Sequence, residues 1–154
     1  MKIRRWGVLA LAGLCLAALG CDQAIGTAVS SAKARSDAER IANKYFELAR
    51  ARDWSGARSL YHEEFFKAMP WETWRKILPN VDAKLGPLQA CTQNRWQVTR
   101  KASTTFTGTA VLLTYTCKHE RYEATVSFTI ARASGDREYS IYAQTFNSIG
   151  FLIE

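Results

Sequence analysis

The sequence has little of what announces a particular chemistry. Its two histidines, His62 and His119, stand at no ligand spacing from each other or from the cysteines, so no tetrahedral metal site is expected. No G-x-S-x-G elbow, Walker loop or G-x-G-x-x-G turn occurs, which removes the usual signatures of serine hydrolases, nucleoside-triphosphate enzymes and dinucleotide enzymes; no cofactor is expected. The 21 Lys and Arg residues nowhere form a run of five, so the formal charge of +7 does not mark a nucleic-acid tract. No internal repeat or low-complexity segment is apparent. The longest apolar run, Trp6 to Leu19, has about 14 residues, where a membrane-spanning helix needs about 20.

That run is informative in another way. Lys2, Arg4 and Arg5 precede it and a small residue follows, the layout of a secretory signal peptide. Its end, Ala18-Leu19-Gly20-Cys21, resembles the lipobox of bacterial lipoproteins. The resemblance implies removal of residues 1–20, acylation of Cys21 with palmitate-type chains, and attachment to the cell membrane; two acyl chains already suffice for a stable anchor. Asp22, directly after the cysteine, implies retention in the inner membrane with the domain in the periplasm, the outer membrane being second choice. A plain cleaved signal with an incidental cysteine is the alternative. Residues 21–35 then read as lipidated cysteine and tether, and residues 36–154 as the domain.

Without residues 1–20 the chain loses three basic residues and no acidic one, which lowers its formal charge to +4. The remaining 134 residues are enough for one domain with a real core. Cys15 leaves with the signal and Cys21 carries lipid. Cys91 and Cys117 remain, and in an oxidising compartment such a pair reads as a disulfide.

The hydrophobic pattern changes period near Gly86. Before it, Ser36 and Glu39 make a capping box for a first helix with Ala38, Ile41, Ala42, Tyr45, Leu48 and Ala49 at helical spacing. Asp53 caps a short second helix presenting Trp54, Ala57, Leu60 and Tyr61, and Pro70 opens a third carrying Trp71, Trp74, Ile77 and Leu78, with Pro79 and Gly86-Pro87 closing the helical half. After Gly86 the alternation is that of strands over 88–100, 105–117, 121–131 and 138–149, the last with Tyr139, Ile141 and Ala143. Helices followed by a four-stranded antiparallel meander make an α+β domain, three helices on a curved sheet, with Cys91 and Cys117 on neighbouring strands.

The order helix, D-W-x-x-x-x-x-L-Y-H-x-x-F, W-x-x-x-L, glycine, long strands resembles the NTF2-like superfamily of cone-shaped domains, in particular its ketosteroid-isomerase and SnoaL-like branch and its small envelope members. That fold hosts enzymes and non-catalytic modules alike. The resemblance places Tyr45 on the oxyanion tyrosine of the isomerases and Met69 on the position of their proton-abstracting aspartate. A thioether cannot act as a base. His62 could substitute as a base, or could simply complement a helix dipole at a helix end. Asp53 reads as a cap, and Tyr45, Trp54, Tyr61, Met69 and Trp74 as either core or the lining of a pocket.

The expectation is therefore a membrane-anchored domain that binds an envelope protein or a small ligand without catalysis. The alternatives are an isomerase or hydrolase using Tyr45 and His62, which requires a cavity of roughly 300 Å³ or more with converging polar groups, and an envelope antagonist of a toxin or hydrolase. No nucleic-acid partner is expected, and a dimer stays open.

Overall fold

The computed structural model describes the backbone of residues 19–153 and the side chains of residues 28 and 30–153. The signal-peptide reading of the first residues, acylation at Cys21 and sorting by Asp22 concern side chains outside the described residues. Among the described residues no helix is long and apolar enough to cross a membrane.

The first helix, α1, spans Leu19–Arg50 and does not begin at Ser36. The expected capping box is dissolved into the helix interior: Glu39 accepts from Arg35 at 2.7 Å and Asp37 from Lys33 at 3.2 Å, both i, i+4 pairs along one helix. Residues 22–35, read as a tether, are thus helical, and their second half already packs. Ala34 is buried, and Arg35 donates to Gln93 Oε1 at 3.0 Å and lies 4.7 Å over the Trp96 ring on the first strand. Ala34, Ala38, Ile41, Ala42, Tyr45, Phe46 and Ala49 form one buried stripe at helical spacing. After Arg50 the chain turns through Arg52 in the left-handed region at φ 55°, with Arg52 donating to Asp82 at 2.9 Å.

Asp53 caps α2 as its sequence position suggests, accepting from the Gly56 amide at 2.8 Å. That helix, Trp54–Ala57, is only one turn long and passes into a 3₁₀ turn over Arg58–Leu60. Tyr61 is not on the helix: it is extended and forms a parallel bridge to Ile141, with His62 N donating to Ile141 O at 2.9 Å. The charged stretch after it is helical. His62 Nδ1 accepts from Glu64 N at 3.2 Å and so caps a further helix, α3, Glu63–Ala68. Among the described residues there are therefore four α-helices, not three. The last, α4, runs Trp71–Leu85 straight through Pro79. Pro79 is exposed, where a carbonyl freed by its missing N–H can meet water, while Trp74, Leu78 and Leu85 are anchored in the core on either side of it. Gly86 ends α4 at φ 84°; a Cβ there would lie 2.8 Å from Glu120 Cβ.

Four strands follow, β1 Leu88–Ala102, β2 Thr107–His119, β3 Glu123–Ala133 and β4 Ser140–Asn147, antiparallel in that spatial order. They form one open curved sheet with helices packed on it, an α+β arrangement. Val111, Leu113, Tyr115 and Cys117 of β2 and Ala124, Val126, Phe128 and Ile130 of β3 alternate into the core. Against them α1 lays Tyr45 and Phe46, with Tyr45 5.3 Å from Phe128 and Phe46 4.9 Å from Tyr115 in edge-to-face contacts. Cys91 and Cys117 pair directly in the β1–β2 register and are joined by a disulfide.

β4 departs from the expected alternation. Ile130 pairs with Ile141 and Thr129 with Ala143, leaving Tyr142 as an extra residue. The bulge shifts the phase of the strand: Ala143 is exposed, and Gln144 and Phe146 turn toward the helices.

Candidate functional site

Four polar groups meet inside the fold, each delivered by a different element. α1 supplies Tyr45, the bridge segment Tyr61, α4 Trp74, and β4 Gln144 by way of its bulge. All four residues are buried. The Tyr61 hydroxyl donates a short hydrogen bond to Gln144 Oε1. Tyr45 and Tyr61 meet edge to face at 6.4 Å, and Trp74 packs 6.1 Å from Tyr61 and 5.1 Å from Phe65.

Burial dominates the electrostatics. Desolvation pushes the Tyr45 phenol well above its ordinary range, while hydrogen bonding to Gln144 and Tyr61 pulls it back only in part. Tyr61 is raised as well, first by desolvation and then by the neighbouring Tyr45. Both phenols therefore stay protonated across the physiological range. They can donate hydrogen bonds; they cannot take up a proton.

Two donors in the cluster lack an acceptor of ordinary geometry, Trp74 Nε1 and Gln144 Nε2. The indole lies close enough to the Tyr61 oxygen to lower that phenol's pKa slightly. Buried polar atoms without a partner cost about 1–3 kcal/mol each and are uncommon in native folds.

The space around Tyr45 is nearly filled. The cavity it shares with Phe46, Trp54, Leu78, Val126 and Phe146 measures about 20 Å³, room for a single water. A wider opening lies outside it, between α4 and the C-terminal half of β4. This groove of about 450 Å³ is lined on one side by Trp74, Ile77, Val81 and Lys84 and on the other by Gln144, Phe146 and Phe151. Val81 and Phe146 line both spaces, so they form the partition between groove and interior.

The residues expected from sequence are only partly brought together. Tyr45, Tyr61 and Trp74 belong to the buried cluster, and Trp54 shares the small cavity with Tyr45. Met69 is the half-buried residue at the C-terminal cap of α3 and packs on the edge of the core. His62 faces elsewhere. Its ring stacks on Tyr142 at 4.2 Å, with Nε2 3.8 Å from Asp136 Oδ2, at the turn between β3 and β4. Capping the start of α3, it stands at the positive end of a helix dipole and not at the negative end a protonated histidine would complement. Glu63 and Glu64 are exposed in the first turn of α3.

Gln144 was missed by sequence reasoning because strict alternation from Ile141 sends it to solvent. One signal could have found it. Ile141 and Phe146 are both apolar and five positions apart, a spacing that cannot share a strand face without an inserted residue. Among the described residues no group of three or more His, Cys, Asp or Glu side chains could hold a metal ion. No protein-family model, curated protein or solved structure matches the chain.

Proposed function

We propose that this chain is a lipid-anchored envelope protein whose domain, an NTF2-like cone, binds a ligand or partner without catalysing a reaction. The observation that carries the reading is the state of Tyr45. It is sealed among aromatic rings beside a cavity of about 20 Å³, and its polar neighbours, Tyr61 and Gln144, are neutral groups that cannot abstract a proton. His62, the candidate base, points to a different part of the surface. Chemistry of the isomerase type needs an oxyanion donor and a base facing one substrate space. Here the donor faces no such space; the groove between α4 and β4 lies on the far side of Phe146.

The anchor rests on the basic start, the short apolar run and Ala18-Leu19-Gly20-Cys21. Because α1 runs unbroken from Leu19 into the core, an acylated Cys21 would hold the domain on a helical stalk. From Cys21 to the first buried alanine, Ala34, about 13 residues at 1.5 Å each give a stand-off of roughly 20 Å.

Two measurements test the reading together. Cys21→Ser should move the protein from the membrane to the soluble fraction; retention in the membrane refutes the anchor. Hydrogen–deuterium exchange at the α-carbon of a panel of cyclic ketones should show no acceleration by the protein. An acceleration abolished by Tyr45→Phe would establish the isomerase reading instead.

A further inference from the structure

β1 and β2 are the longest strands of the sheet, and their hairpin carries charge of one sign only. Between Asp82 and Glu120 the sequence has no acidic residue, whereas Arg95, Arg100, Lys101 and Lys118 all lie on the hairpin and are all exposed. Lys118, at the open end, is the register partner of Glu123 across the β2–β3 turn. Arg100 and Lys101 stand at the closed end, next to the turn over 103–106, and among the described residues neither forms an ion pair with a carboxylate. The β3–β4 turn at the same end sets Arg132 and Arg137 against Asp136 and Glu138, and its Asp136 is engaged by the Ala133 amide and the Tyr142 hydroxyl. The excess of positive charge at this end therefore belongs to Arg100 and Lys101.

The helix α1 lies along this hairpin with its N-terminus toward the closed end. Ala49 shares the small interior cavity with Leu88 and Cys117, Arg35 reaches Gln93 and Trp96, and Arg100 donates to the Ser30 hydroxyl. From Ser30 about nine residues of helix lead back to Cys21, roughly 14 Å at 1.5 Å each. From Arg100 about four residues lead on to Thr104 in the turn, roughly 13 Å at 3.3 Å each. The two lengths match, so the hairpin accompanies the stalk and its tip comes level with Cys21. Between Cys21 and Ala34 the helix itself carries one charge of each sign, Asp22 and Lys33.

Resting on the reading that Cys21 is acylated, we propose that the closed end of the β1–β2 hairpin docks on the anionic headgroups of the membrane that holds the anchor, with Arg100 and Lys101 as the contacting cations. Acylation sets Cys21 at the headgroup layer, and the hairpin tip stands at the same height. The contact is one of charge and not of insertion: Ser103, Thr104 and Thr105 are exposed and polar, and the half-buried Phe106 is held edge to face on Tyr142 at 5.7 Å. A domain tethered through one residue at the end of a helix is free to tilt. A second contact at the height of the first holds the sheet upright, with the β2–β3 turn pointing away from the membrane.

The test uses the acylated full chain in vesicles of phosphatidylglycerol and phosphatidylcholine, and reads lysine acetylation by mass spectrometry, Lys101 against Lys118 at the other end of the same hairpin. Flotation comes first: protein that does not float with the vesicles refutes the anchor, and this proposal with it. In floated protein, acetylation of Lys101 should slow roughly thirtyfold relative to Lys118, about fivefold for each of the two cations. Vesicles of phosphatidylcholine alone should remove the difference, and so should 1 M salt, which shortens the screening length to about 3 Å. Arg100→Gln, an exposed change, should reduce the slowing to about fivefold. A Lys101 to Lys118 ratio that is the same on anionic and neutral vesicles overturns the proposal, as does protection unchanged by 1 M salt or by Arg100→Gln. Those failures, in protein that floats, leave both the anchor and the non-catalytic reading standing.

Discussion

Reduction of the Cys91–Cys117 disulfide should cost the domain a large and calculable part of its stability. The bond closes a loop of sequence separation 26. In the chain-entropy relation such a loop contributes about 3.5 kcal/mol at 25 °C by restricting the unfolded chain. The folded state gives little of this back. Cys91 and Cys117 are direct register partners, flanked by the pairs Ala90–Lys118 and Thr92–Thr116, so the hairpin keeps its register whether or not the sulfurs are joined. Cys117 is fully buried, and a thiol there remains packed. For a domain of this size about 3–4 °C of melting temperature correspond to each kcal/mol, so the reduced protein should melt roughly 10–14 °C lower. Calorimetry with and without reductant, on samples whose thiols have been counted, measures this directly. Urea unfolding adds a second reading: the reduced chain should show a larger m-value, because its unfolded state is less compact. A fall of less than about 4 °C with an unchanged m-value would refute the reasoning, since the unfolded chain would then gain nothing from release of the bond.

Other substitutions separate the observed fold from its nearest alternatives. Ser36→Ala should be neutral or slightly stabilising in thermal melts, since Ser36 is interior to α1; a loss of about 1 kcal/mol would mean that it caps a helix start. His62→Ala should cost about 1 kcal/mol in urea unfolding through loss of the α3 cap, and His62→Asn should restore most of it, whereas a role in proton transfer would not be rescued by asparagine. Gly86→Ala should destabilise by about 1–2 kcal/mol, because φ is 84° and the new Cβ would meet Glu120; an unchanged melting temperature would contradict the backbone geometry. Alkaline titration should unfold the protein above about pH 10. Tyr45 and Tyr61 have folded pKa values raised above the ordinary 10.0, so the stability they contribute is complete below that pH and is lost as the pH rises further. Tyrosinate absorbance and loss of helical circular dichroism should therefore rise together.

Most of the fold is legible in the sequence because it follows from period alone. The change from helical spacing to alternation at Gly86, the turn residues and the cysteine spacing are sufficient for the four-stranded meander and its bridge. Helix boundaries were harder to read, and for two different reasons. Ser36 has the composition of a cap, yet Arg35 takes Glu39 and packs on Trp96, so tertiary contacts extend the helix through it. Pro79 looks like a terminator, yet its ring faces water while Trp74 and Leu85 hold both ends of the helix in the core. In each case a local preference of about 1–3 kcal/mol is outweighed by burial of apolar side chains that only the tertiary structure brings together.

The candidate site was less legible because it depends on a single inserted residue. Tyr45, Tyr61 and Trp74 can be found from helical spacing and aromatic content, but their meaning changes with what stands opposite. Strict alternation puts Ala143 against them and makes an ordinary aromatic core. The bulge at Tyr142 puts Gln144 there instead, accepting from Tyr61 with its amide oxygen and turning its amide nitrogen to Tyr45. That exchange gives the buried Tyr61 hydroxyl an acceptor, which an alanine at the same place would not supply. Deleting Tyr142 would restore simple alternation and turn Gln144 outward. That deletion should leave the buried Tyr61 hydroxyl without its acceptor and lower the melting temperature, while leaving the β1–β2 hairpin and its disulfide intact. A melting temperature unchanged by the deletion would show that the bulge does not set what stands opposite the tyrosines.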